Sequence, residues 1–229
     1  MTKKILIPGS MLLVLSIAVL LTGCSKDKWD IIEQGMPKFV ASNYIELNTV
    51  LQISKFRSAI GHDYSDSFEQ CRSMKHYFQP KNEVDWSSIK IYSPVSGTII
   101  EAYNEWAGTQ VIIASDDYPA FEFIIFHMKL SSQFKVGDKV KSGDQIGTHI
   151  GTQTMSDIAV KVRETSKKIR FISYFDVMTN NLFNEYANRG IIARENVIIS
   201  KTERDADPLS CNGETFNSAG TLGNWVFLY

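Results

Sequence analysis

Short apolar runs rich in β-branched and aromatic residues recur along much of the chain between polar stretches, the composition of strands. The clearest runs are 44–47, 49–53, 98–103, 110–114, 121–128, 168–175 and 196–200, rich in Ile, Val, Phe and Tyr. Turn residues punctuate them, with Ser96-Gly97 before one run and Asp116-Asp117-Tyr118-Pro119 between two others. Short strands at this spacing predict a mostly β fold, a sandwich or barrel rather than alternating β and α units. A helical period shows in one place, where Leu182, Phe183 and Tyr186 share a face. Thr179 is placed to cap that helix and Gly190 to stop it, after about Arg189. Two consecutive units, Val136-Gly137-Asp138-Lys139-Val140 and Ser142-Gly143-Asp144-Gln145-Ile146, each put Gly-Asp in a turn before an inward apolar residue. Residues 67–90 lack a period and read as a polar loop with a short helix.

The start of the chain breaks the pattern. Lys3 and Lys4 precede an apolar run from about Met11 to Leu21, and Leu21-Thr22-Gly23-Cys24 matches a bacterial lipobox. The apolar run is short for a membrane span of about 20 residues. The expected organisation is a lipoprotein signal over 1–23, lipidated Cys24 and a polar tether over 24–45, a β domain over 46–165, and a C-terminal strand-helix-strand extension with a loop-rich tail over 166–229. Two acyl chains hold a protein stably at a membrane. Ser25 after the cysteine favours the outer membrane in a Gram-negative host.

Cleavage would remove Lys3 and Lys4, leaving 22 of the 24 basic side chains against 25 acidic ones. That balance, with no basic tract, argues against a nucleic-acid partner. Lipidation consumes Cys24, so Cys71 and Cys211 remain of the three cysteines. In an exported protein this pair is a candidate disulfide, with two buried thiols as the alternative.

Several motifs fall together. Ser54-Lys55-Phe56-Arg57 comes first, then Gly61-His62-Asp63-Tyr64-Ser65-Asp66, Ser93-Pro94-Val95-Ser96-Gly97-Thr98-Ile99, Phe126-His127-Met128 and the stretch from Val136 to Gly147. In order and spacing these resemble the lysostaphin-type (LytM) murein endopeptidases, built on the duplicated hybrid motif. The resemblance covers about residues 53–163. It implies a zinc site made by a His and an Asp of the first motif and the second His of a His-x-His strand. The first His of that strand and the His of the Tyr-x-His-Leu strand would assist catalysis. Carried over, His62 and Asp66 match two ligands and His127 one catalytic His. Asp157 falls on the other catalytic position and Ala159 on the third ligand. Tyr64 replaces the family's Gly between His62 and Asp66. A catalytic zinc needs three protein ligands and an open position for water, and an alanine supplies none.

Each of these residues also has a plainer role: His62 and Asp66 as loop hydrogen-bonding groups, and His127 as a core residue in register with Phe121, Phe123 and Ile125. Three functions follow. The first is a membrane-anchored envelope protein that has lost catalysis and binds peptidoglycan or regulates a cell-wall hydrolase, with no cofactor. The second is an active zinc endopeptidase whose ligand set is rearranged to His62, Asp66 and His76. The third is a structural envelope adaptor.

Overall fold

The structure is a computed structural model that describes residues 27–165 and 167–229. The leader and Cys24 lie outside the described residues. In chain order the elements are α1 (Ile31–Gln34), β1 (Val50–Ser54), β2 (His76–Pro80), β3 (Lys90–Tyr92), β4 (Gly97–Glu105), β5 (Gly108–Ser115), β6 (Phe121–Leu130), β7 (Lys139–Val140), β8 (Gln145–His149), β9 (Ser156–Arg163), β10 (Ile169–Ile172), α2 (Asn180–Ala187), α3 (Lys201–Ala206), β11 (Cys211–Asn212), β12 (Thr215–Phe216) and β13 (Trp225–Phe227). The mostly β expectation holds. One large antiparallel sheet runs β13-β1-β2-β9-β6-β5-β4-β7, with β10 on β9, and β3 on β8, which in turn pairs with β6.

The period-two pattern explains how this sheet is buried. Successive side chains of a strand point to opposite faces. On β6, Phe121, Phe123 and Ile125 enter the main core, and on β9 Ile158, Val160 and Val162 do the same. The alternate residues Ile124, Phe126 and Ala159 form a smaller cluster on the opposite face with Phe56, Met74, Ile112 and Phe171. The central strands are therefore covered on both sides. The two Gly-Asp units fold alike: Gly137 and Gly143 take positive φ, and Asp138 and Asp144 accept the amides of Lys135 and Lys141.

Five stretches depart from the sequence pattern, the first being 44–47, which makes a lone bridge at Ile45 before a 3-10 turn over Leu47–Thr49. The expected loop 67–90 contains β2, which sits inside the sheet between β1 and β9. Its length is only five residues, and the polar residues around it hide so short a period. The run 196–200 is not a strand. A 3-10 turn over Arg194–Val197 leads into Ser200, whose side chain caps α3. The run 168–175 is a strand only over Ile169–Ile172, after which Ser173 caps a 3-10 turn. Finally, the segment read as a tether is packed from Trp29 onward. The Trp29 amide donates to the Arg163 carbonyl, its ring meets Tyr118 and Phe121, and Val40, Tyr44 and Ile45 are fully buried. Scattered aromatic residues in a polar stretch thus bury more than its average composition suggests. The C-terminal extension is likewise continuous with the sheet, since β10 pairs with β9 and β13 with β1.

Candidate functional site

A cavity of about 450 Å³ opens on the face of the sheet that carries the smaller cluster. Its position follows from three local features: a bulge in β6, the strand parity of β2, and the loop between β1 and β2.

The bulge comes from pairing. Val111 faces Ile125 and Thr109 faces Met128, so Phe126 and His127 together oppose Gln110. The extra residue, His127, takes φ +56°, in the left-handed region that side chains other than glycine seldom occupy. This breaks the register with Phe121, Phe123 and Ile125, and His127 lines the cavity instead of entering the main core. Its Nδ1–H donates to the Ala107 carbonyl at 3.0 Å, and its Nε2 lies 3.5 Å from Oδ1 of Asp157.

Parity decides the residues of β2. Lys75 and Tyr77 face the cavity, whereas His76 and Phe78 face inward. His76 is completely buried, donates from Nδ1 to the Ser54 carbonyl at 2.8 Å, and accepts from the Ser173 hydroxyl at 2.8 Å. Burial lowers its pKa to about 4, so it is a neutral core histidine.

The loop between β1 and β2 carries His62 and Asp66. Glu69 holds it from inside by accepting from Arg57 at 2.7 and 2.8 Å and from Arg72 at 2.6 Å. Burial raises the Glu69 pKa, but the two guanidinium groups outweigh it and leave the carboxyl below its ordinary value. A Cys71–Cys211 disulfide ties the loop to the β11–β12 hairpin. Gly61 brings the loop down onto Tyr77: a Cβ there would meet the Tyr77 hydroxyl at 1.9 Å, and its φ is +75°. His62 follows at once and lines the cavity. It donates from Nδ1 to the Asp63 carbonyl at 2.9 Å, which leaves Nε2 to accept from the Lys75 ammonium at 3.3 Å. Asp66 does not reach the cavity. Its Oδ1 accepts from the amides of Phe68 and Glu69 at 2.7 and 3.0 Å, and its Oδ2 from the amide of Phe171 at 2.9 Å.

At the floor lies Lys75, whose side chain is 1% exposed. Its Nζ is 2.6 Å from Oδ2 of the fully buried Asp157. It also sits 4.2, 4.8 and 4.9 Å from the ring centroids of Phe126, Tyr64 and Tyr77. Burial first, and then the Asp157 charge, holds both tyrosine hydroxyls far above their ordinary pKa. The mouth is different in character. Trp106 is 78% exposed at the tip of the β4–β5 hairpin, and Glu105 and Glu214 also line the cavity. Burial raises the pKa of Glu105, with His127 acting against the rise.

Of the residues singled out in the sequence, the fold brings His62, His127 and Asp157 together, and it leaves Asp66 and His76 elsewhere. Lys75, Glu105, Trp106 and Glu214 complete the cleft without having been singled out. Only Lys75 carried a signal, as a cation inside the otherwise apolar run Met74-Lys75-His76-Tyr77-Phe78. The residues present do not suit zinc. Asp66 spends both oxygens on backbone amides, Ala159 has no donor atom, and Nε2 of His62 faces an ammonium. Among the described residues, no three His, Cys, Asp or Glu side chains converge as a metal site.

No protein-family model matches the chain, and no curated protein matches it either. Among solved structures, the chain is similar to one from Ruminococcus gnavus assigned to a glycyl-glycine endopeptidase, LytM. The identity is 14% and the TM-score 0.36, over 45% of this chain and 43% of that one. It is also similar to the SpoIIQ–SpoIIIAH pore-forming complex, at 14% identity and TM-score 0.43, over 65% of this chain and 97% of that one. A third is the catalytic domain of lysostaphin from Staphylococcus simulans, at 20% identity and TM-score 0.38, over 54% and 90%. The chain thus spans less than half the length of the first of these.

Proposed function

We propose that this is a lipid-anchored protein of the bacterial envelope whose LytM-like cleft binds a peptide without cutting it. The ligand would be a peptidoglycan stem or a segment of a cell-wall hydrolase. The observation that carries this reading is the separation of the three ligand positions implied by the motifs. His62 faces the cleft, Asp66 is tied into the backbone of β10, and Ala159 lies in an apolar cluster. Hydrolysis by the family's route needs a polarising metal with bound water, and these positions do not assemble one.

What remains is suited to binding. The cavity is of ligand size, and one exposed indole stands at its rim beside two carboxylates. Anchoring through Cys24 would hold the cleft near the wall. The test uses the full chain purified in detergent and incubated with insoluble peptidoglycan. The expected result is co-sedimentation that weakens in Trp106→Ala, with no new amino termini released and less than stoichiometric zinc by elemental analysis. Released amino termini together with one zinc per chain would overturn the reading, and so would failure to sediment with either peptidoglycan or a purified wall hydrolase.

A further inference from the structure

We infer that Lys75 is a built-in cation: the floor of the cleft is an ammonium site whose ligand is a side chain of the protein itself. An alkylammonium group has three N–H donors and no acceptor. Three kinds of acceptor surround the Lys75 Nζ: the Asp157 carboxylate at 2.6 Å, Nε2 of His62 at 3.3 Å, and ring faces, of which Phe126 is nearest at 4.2 Å. With Tyr64 and Tyr77, three aromatic rings flank one nitrogen. That cage is chemically selective. Aromatic faces attract an ammonium through their quadrupole, whereas zinc requires nitrogen, oxygen or sulfur lone pairs. The groups nearest Nζ offer zinc one carboxylate and one imidazole, short of the three protein ligands it needs.

The sequence shows how the site is assembled. Tyr64 stands where the resembling motif has glycine, and its ring packs on Phe126 and Phe171 at 5.5 and 4.8 Å. Lys75 reaches the same point from the residue just before β2, on the face fixed by strand parity. Asp157 is the anion of the pair from β9. Lys75, Tyr64 and Asp157 therefore work as a set, in which a side-chain cation in cis takes the place of a bound one. The class of ligand is a primary alkylammonium. This holds whether or not the cleft also binds a wall peptide, since the site lies beneath the mouth.

Truncation should turn the internal ligand into an external one. Lys75→Ala removes a propylammonium-sized fragment, so n-propylammonium chloride added to the full-length variant in detergent should fill the space. The expected result is a lowered Tm for Lys75→Ala that recovers saturably with propylammonium. Matched 1-propanol or sodium chloride should give no recovery, and wild type should not respond. Adding Asp157→Asn to the variant should abolish the recovery. Equal recovery by 1-propanol would overturn the inference, because it would reduce the site to bulk filling. A zinc-dependent rise in the Tm of wild type that is lost in His62→Ala would also overturn it. If Lys75→Ala does not fold, Lys75→Met keeps the length without the charge. Its Tm should fall below wild type and rise again when Asp157→Asn is added, and a Tm equal to wild type would sink the proposal.

Discussion

Stability at mildly acid pH should be governed to a large extent by His76. The side chain is fully buried, its two ring nitrogens are satisfied by the Ser54 carbonyl and the Ser173 hydroxyl, and the rings of Phe56 and Phe175 lie 5.8 and 5.0 Å away. Burial, only partly offset by the hydrogen bond to the Ser54 carbonyl, lowers its pKa from 6.5 to about 4. The unfolded chain therefore binds a proton at this residue before the folded protein does. The contribution is fully present above the unfolded value of 6.5 and is lost as pH falls from there towards 4. The fall from 6.5 to about 4 corresponds to roughly 3 kcal/mol, of which about 2 kcal/mol is gone by about pH 5. The assay is urea unfolding of wild type and His76→Gln at a series of pH values from about 7.5 to 4.5. Glutamine keeps a donor and an acceptor but does not titrate, so the difference between the two curves isolates this residue from other titrating groups. Wild type should lose about 2 kcal/mol more than the variant on going from about pH 7.5 to 5. Parallel curves would refute the assignment of His76 as a neutral core residue.

Other consequences of the same geometry are also measurable. Asp66→Ala removes three hydrogen bonds to backbone amides and should cost about 2–4 kcal/mol in urea unfolding, with the zinc content unchanged. A fall in bound zinc would instead mark Asp66 as a ligand. Glu69→Gln leaves Arg57 and Arg72 without their shared buried carboxylate and should destabilise by about 3–5 kcal/mol. Because the folded pKa of Glu69 is depressed, wild type should lose that advantage only as pH falls below the ordinary carboxylate range. Cys71→Ser with Cys211→Ser opens a link between residues 140 apart and should cost about 2–5 kcal/mol. The first protease cut in that double variant should fall in the β11–β12 hairpin that bears Glu214, and unchanged cleavage kinetics would argue against the pin.

Much of the sheet was legible because its central strands are long, apolar and rich in β-branched and aromatic residues. Segments such as 110–114 and 121–128 mark strands by composition, and β5 and β6 follow them closely. The helix after Thr179 was readable for a similar reason: a capping hydroxyl and an apolar face occur together, and the Thr179 side chain does accept from the Leu182 amide. What escaped depends on partners distant in sequence. The strand β2 is one whose neighbours, β1 and β9, supply the order that five residues cannot supply alone. The packing of Trp29 and Tyr44 needs Tyr118, Phe121, Phe78 and Tyr174, none of them within reach of a local pattern.

The candidate site was legible in residue types more than in the faces those residues take. That position 159 offers no metal donor can be read from one residue, because an alanine side chain has no donor atom in any surroundings. Which side chains enter the cleft depends on how strand parity and a bulge direct them. Lys75 and His76 are adjacent in sequence, and their residue types alone favour the histidine as a functional group. The one-residue difference in parity decides against it, since Lys75 faces the cleft and His76 the core. At His127 the reverse holds: parity alone would bury the ring, and the extra residue opposite Gln110 turns it outward. Bulge and parity together therefore carry as much of the chemistry as residue type does, and a motif comparison that aligns residues without their strand faces cannot tell an imidazole in the cleft from one in the core.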